Sequence, residues 1–102
     1  MRALVIARQK MPPPVEMLPA LVQGFHAWRD KYRDKLESFS FFVSSTGGFA
    51  ILNAADENEA YQILLEWPLT PFSEIEVLPF VDGDHALSRW SAQMEGMAAG
   101  GS

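Results

Sequence analysis

Four short apolar segments, two helical stripes between them and a proline-punctuated turn predict an α+β fold for this chain of 102 residues. The segments fall in the order β-α-β-β-α-β, the ferredoxin-like arrangement with a four-stranded antiparallel sheet, and an extra C-terminal helix follows. The order is clearest between Gly47 and Val81. Phe49 to Ala54 has the length and the aromatic and branched content of a strand. Asp56 then stands as an N-cap with Glu59 three residues on, the capping-box arrangement that satisfies two orphan amide donors. Ala60, Ile63, Leu64 and Trp67 continue as an i, i+3, i+4, i+7 stripe. Pro68 cannot continue a helix interior, and Pro71 follows, so the chain turns before Ile75 to Val81 resumes as a strand.

The first half is read the same way. Ala3 to Ala7 is a continuous apolar run, which fits a strand buried on both faces. Arg8-Gln9-Lys10 ends it in solvent, and Met11-Pro12-Pro13-Pro14 is a stiff extended connector. A helix is expected from about Glu16 to Glu37, with Pro19 in its first turn. Its apolar stripe is Leu18, Leu21, Val22, Phe25, Trp28, Tyr32 and Leu36. Gly24 costs such a helix about 1 kcal/mol against alanine, so it is expected to admit a close neighbour or ligand. Phe39 to Ser44 reads as a strand and Ser45-Thr46-Gly47-Gly48 as the hairpin turn that follows. After the last strand, Asp82-Gly83-Asp84 makes a turn and cap, and His85 to Glu95 a third helix with Leu87, Trp90 and Met94 on one side. Residues 1–95 are thus expected to form one domain and 96–102 a flexible tail.

Composition narrows the class of function. Hydrophobic residues make up 48% of the chain, enough for one core at this length. A net charge of −5 and a pI near 4.8 argue against a nucleic-acid partner, which wants a basic face. Without cysteine the chain has no disulfides, thiolate ligands or thiol nucleophiles. No run is long and apolar enough for a membrane, and a cytoplasmic protein is the expectation. Strand patterning adds an assembly. Leu4-Val5-Ile6, Phe41-Phe42-Val43 and Phe49 to Leu52 do not alternate with polar residues, so both sheet faces are greasy. Two helices shelter one face only. A second copy of the sheet is the simplest cover for the other, giving a homodimer, or a larger ring built from it, which the third helix could clasp.

Few side chains can do acid/base chemistry near neutral pH. His26 and His85 are the only histidines. His26 flanks the first helix's stripe one position past Phe25, with Arg29 and Asp30 on its side. Facing the sheet beside Arg29 and Tyr32, it could hold and protonate an enolate-like oxygen. The competing reading is an ordinary helix-flank residue. His85 lies in a first helical turn, where the macrodipole disfavours its charged form, and reads as decoration of the cap. Glu74 and Glu76 share one face of the last strand; Glu76 is a second candidate base if that face looks into a pocket, and a solvated edge residue if not. No histidine spacing suggests a metal site, no glycine-rich loop a phosphate, and no elbow a nucleophilic serine. Neither metal nor cofactor is expected. The aromatics are numerous, and most belong to the core. A cleft between the first helix and the sheet, lined by Phe25, Trp28, Tyr32 and Phe41, with Trp90 as a further binding candidate, is the expected place for a flat apolar ligand.

A family resemblance follows from one segment. Trp67-Pro68-Leu69-Thr70-Pro71-Phe72-Ser73-Glu74-Ile75-Glu76-Val77 resembles the signature of the muconolactone isomerase family, in which a helix ends in Leu-Pro-Leu-x-Pro-Tyr/Phe and leads into an Ile-Glu-Val strand. The likeness extends back through the preceding helix and strand; the first half matches in the order of its elements. It implies the dimeric α+β barrel fold, shared with cofactor-independent monooxygenases and polyketide-tailoring enzymes of secondary metabolism. It also implies an isomerase that takes a proton from carbon beside a carbonyl and returns it elsewhere. Leu4 and Ile6 stand where the family carries polar side chains, and Gly24-Phe25-His26 where it tends to carry glutamate. The reading is a cofactor-independent isomerase or cyclase acting on a carbonyl-bearing, largely apolar small molecule. His26 would be its acid/base, Arg29 or Tyr32 its oxyanion partner and Glu76 a second base. A cofactor-free monooxygenase acting on a polyketide-like aromatic, or a non-catalytic ligand-binding or assembly module, is the alternative.

Overall fold

The computed structural model describes residues 1–44 and 46–100. Four strands and three helices follow one another as β1 (Arg2–Gln9), α1 (Leu18–Lys31), β2 (Leu36–Phe41), β3 (Gly47–Asn53), α2 (Glu57–Glu66), β4 (Ser73–Phe80) and α3 (Gly83–Gly100). The strands form one antiparallel sheet in the order β2-β3-β1-β4. This is the ferredoxin-like α+β fold that the order of segments predicts.

Register decides which residues meet the helices. Across the sheet, Val5 stands between Ala50 and Val77, and Ala3 between Leu52 and Pro79. Ala3, Val5, Ala7 and Leu52 are buried there beneath Trp28 of α1 and Ala60 and Ile63 of α2. The alternate residues Leu4, Ile6, Phe49, Ile51 and Leu78 occupy the other face, where none is buried. The apolar runs of β1 and β3 therefore supply two greasy faces, of which the helices cover one. Pro79, which cannot donate to a ladder, sits on the edge strand β4.

Local signals account for the element ends, with several corrections. Asp56 caps α2 by accepting from the amide of Glu59 at 2.9 Å, as predicted. The Glu59 carboxylate reaches one residue further out than a capping box, to the amide of Ala55 at 3.0 Å. At the other end Thr70 donates its hydroxyl to the Leu64 carbonyl at 2.5 Å, so the proline turn also caps the helix. Gly24 admits Pro68 of that turn: a Cβ there would lie 3.2 Å from the proline ring.

The first helix stops at Lys31, six residues short of the expected Glu37, because Tyr32 leaves the helical region and a 3-10 turn covers Arg33–Lys35. Leu36 matches the helical spacing by coincidence and opens β2, paired with Leu52. The glycines expected in a hairpin turn are strand residues instead. A Cβ on Gly47 would lie 2.1 Å from the Ala7 carbonyl oxygen, and one on Gly48 2.2 Å from that of Ser40. The pair thus lets three strands close together at that end of the sheet. Ser45 of the expected turn lies outside the described residues.

The third helix also outruns its expected end at Glu95 and continues through Gly100; residues 101–102 lie outside the described residues. Eighteen residues of helix are about 27 Å long. This rod leaves the body, so the chain spans 69 Å with a radius of gyration of 18.4 Å, against about 13 Å for a compact chain of this size. Leu87, Trp90, Met94 and Met97 repeat along it and all are exposed. No helix among the described residues is long and apolar enough to cross a membrane.

Candidate active site

Between α1, α2 and the covered sheet face lies an apolar cavity of about 180 Å³. Val5, Ala50 and Leu52 floor it, and Trp28, Ile63 and Trp67 roof it. Among the described residues the polar side chains in its lining are those of Gln9, Thr46 and Ser73, and none of them ionises in the ordinary pH range. Apolar cavities of roughly 150 Å³ take a benzene-sized guest, so this one suits a single ring.

A wider groove of about 620 Å³ adjoins it, between the outer half of α1 and β2. Gln9, Phe39, Phe41 and Leu69 line both spaces. The stripe of α1 explains the groove. Trp28 is buried, Phe25 half-buried, and Leu18 and Val22 are exposed, so the apolar face of the helix runs past the end of the core. His26 and Arg29 stand on this open part. The Arg29 guanidinium lies over the Phe39 ring, 5.6 Å from its centroid, and its Nη1 is buried without a hydrogen-bond partner. Trp67 Nε1 is buried and unpartnered as well. An unsatisfied buried donor costs about 1–3 kcal/mol, more when charged. Trp67 lines the inner cavity and Arg29 the groove, so a ligand oxygen that reaches either donor offsets part of that cost.

The structure brings together four of the predicted site residues and separates the rest. Phe25, Phe41, His26 and Arg29 line the groove. Trp28 roofs the inner cavity, but its indole N–H is engaged by the Ile63 carbonyl at 2.8 Å. Tyr32 lines neither space. Its hydroxyl donates to Glu66, which also binds Lys31 at 2.6 Å, and the three close the end of α1 onto the end of α2. Hydrogen bonds from Lys31 and then Tyr32 pull the Glu66 carboxyl down to about 2. The same carboxylate raises the pKa of Lys31, and through its hydrogen bond that of Tyr32 as well. Glu76 pairs across the sheet with Ile6, on the face away from the helices, 3.7 Å from Arg8. Trp90 is exposed on α3. Trp67 is the residue that the pattern hid: its spacing marks it as core, and nothing in the spacing reveals an unpaired indole nitrogen. Among the described residues no three histidine or carboxylate side chains converge as metal ligands would.

Fold and cleft define a class, a ferredoxin-like α+β domain with an apolar cavity between helices and sheet. The chain belongs to the family described as a domain of unknown function, DUF3303, which matches residues 5–94. No curated protein matches its sequence. Among solved structures it is similar to muconolactone isomerase, with a TM-score of 0.71 at 15% identity over 80% of this chain and 90% of that one. It is also similar to 5-chloro-2-hydroxyhydroquinone dehydrochlorinase from Burkholderia phenoliruptrix AC1100, solved with 2,5-dihydroxybenzoquinone, with a TM-score of 0.62 at 17% identity over 83% and 98% of the two chains. At these identities the likeness is one of fold.

Proposed function

We propose that this protein is a small-molecule enzyme, an isomerase or cyclase that moves a proton or double bond in a carbonyl-bearing, largely apolar metabolite without a cofactor. The unpaired Arg29 guanidinium on the wall of an apolar cleft carries this reading. A guanidinium already stripped of some of its water is a fitting partner for an oxygen that gains negative charge as a proton leaves the neighbouring carbon. Among the described residues the inner cavity's lining offers no acid or base, so the reacting carbon belongs at the groove end. There His26, one turn of α1 before Arg29, is the group able to carry the proton. Arg29 then holds the enolate oxygen and the aromatic walls hold the ring. The two similar solved structures are named as an isomerase and a dehydrochlorinase, which favours carbon-acid chemistry on small unsaturated rings over a purely structural role.

The working unit in this proposal is a homodimer. The uncovered face carrying Leu4, Ile6, Phe49 and Ile51, together with the exposed stripe of α3, is apolar surface of the kind that a second copy would bury.

Unsaturated lactones and quinols incubated in heavy water test the chemistry. Deuterium entering product, without oxygen uptake and with loss of at least about a hundredfold in rate for His26→Ala, is the expected result. Oxygen consumed in step with product would replace the isomerase by a monooxygenase. Ligands that bind and are never converted would make the protein a binding module.

A further inference from the structure

We infer that the ligand is an elongated amphiphile spanning both spaces, with an apolar ring in the inner cavity and a carboxylate held by Arg29 in the groove. The inference rests on the reading of this cleft as the ligand site and adds the ligand's shape and charge. A carboxylate on one edge of the Arg29 fork takes two of its five N–H donors and leaves the others for the oxygen that becomes the enolate.

Shape comes from the volumes. The inner cavity, at about 180 Å³, has room for one ring, while the adjoining groove offers about 620 Å³. Phe39 and Phe41 belong to both linings, so a guest passing from one to the other slides along a continuous aromatic wall. A single-ring molecule would fill one space and leave the apolar groove beside Leu21, Val22 and Phe25 in water. A ring with a chain, or two joined rings, covers both, and each buried methylene adds about 0.8 kcal/mol.

Charge comes from the company that Arg29 keeps. In a chain of net charge −5, Arg2, Arg8, Lys31, Arg33 and Lys35 each meet a carboxylate within 4 Å. Lys10 and Arg89 meet none among the described residues but stand exposed in solvent. Arg29 alone among the described basic residues is half-buried, has a buried nitrogen without a partner, and has no carboxylate at hand. Its planar fork fits a carboxylate in two parallel hydrogen bonds, which a neutral carbonyl cannot reproduce.

Calorimetric titration of the full chain with benzoate, 3-phenylpropanoate, 5-phenylpentanoate and their amides tests both parts. Affinity should rise by about tenfold or more from benzoate to 5-phenylpentanoate, and each long acid should bind about tenfold better than its amide. Arg29→Gln should erase that preference, bringing the acid's affinity down to that of its amide. A long acid that binds no better than benzoate overturns the inference, and so does an amide that equals its acid on the native protein. The native comparison decides even if Arg29→Gln does not fold. Tight, acid-selective binding without any turnover would remove the enzyme reading and leave this one standing.

Discussion

Trp28 of α1 donates its indole N–H to the carbonyl of Ile63 in α2 across 2.8 Å of buried space. The relationship has a reason in the helix end. The amide of Trp67, four residues on from Ile63, turns instead to Leu64 at 3.3 Å as α2 closes. Trp28 takes its place and at the same time fixes the two-helix roof of the cavity. Trp28→Phe should keep most of the packing and strand a buried acceptor. A loss of about 1–3 kcal/mol in urea unfolding is expected. An unchanged midpoint would show that the indole hydrogen bond does not hold the roof.

Acid should loosen the same roof at its other end. The Glu66 carboxyl, hydrogen-bonded by Lys31 and Tyr32, is lowered to about 2 from its usual value near 4.5. A group whose folded pKa is depressed stabilises the fold above its unfolded value and loses that contribution as pH falls through the folded one. Wild-type stability should therefore decline between about pH 4.5 and 2, and Glu66→Gln should flatten that limb. The size of the effect should be modest and fall with salt, because Lys31 and Glu66 remain partly exposed. Parallel acid-unfolding curves for the two proteins would contradict the assignment.

The glycine pair offers a sharper contrast. Alanine at Gly48 would drive its Cβ to 2.2 Å from the Ser40 carbonyl oxygen, and at Gly47 to 2.1 Å from that of Ala7 with a φ of +129°. Either substitution should cost on the order of 3 kcal/mol or prevent folding, since backbone must move to make room. Gly96 on α3 has nothing within 4 Å of such a Cβ. Because Gly96 is interior to the helix with open space around it, Gly96→Ala should raise stability, by up to about 1 kcal/mol. Thermal melts of the three variants check the contrast.

Charge placed on the uncovered sheet face should separate the subunits of the proposed dimer without touching the cleft. Ile6 is half-exposed there, beside Phe49 and Glu76. Ile6→Lys, or Trp90→Glu on α3, should shift the mass measured by light scattering from dimer to monomer. A native protein that is monomeric at micromolar concentration would leave both apolar surfaces in need of another cover.

The second half of the chain was legible because its signals agree. Asp56, the Ile63 and Trp67 spacing, Pro68 and the Ile75–Val77 run each name one structure. The first half misleads at two places where a local signal has two meanings. Leu36 continues the helical period of Phe25, Trp28 and Tyr32, yet it pairs with Leu52 in the sheet. Gly47-Gly48 is turn chemistry in sequence and close strand approach in space. At the site, spacing could place Phe25, His26 and Arg29 on one helix face, and that is local information. Whether Glu76 shares their side of the sheet depends on register with β1, and whether Tyr32 is free depends on Glu66, 34 residues away. Neither relation leaves a mark in the spacing of apolar residues.

Amide and indole chemical-shift mapping during titration with 5-phenylpentanoate shows whether the ligand occupies the helix–sheet cleft. The predicted result is the largest changes at the Trp67 and Trp28 indoles, the Arg29 side chain and the backbone of Ala50 and Leu52. Changes confined to Leu4, Ile6, Phe49 and Ile51 would put the ligand on the opposite face and contradict the account.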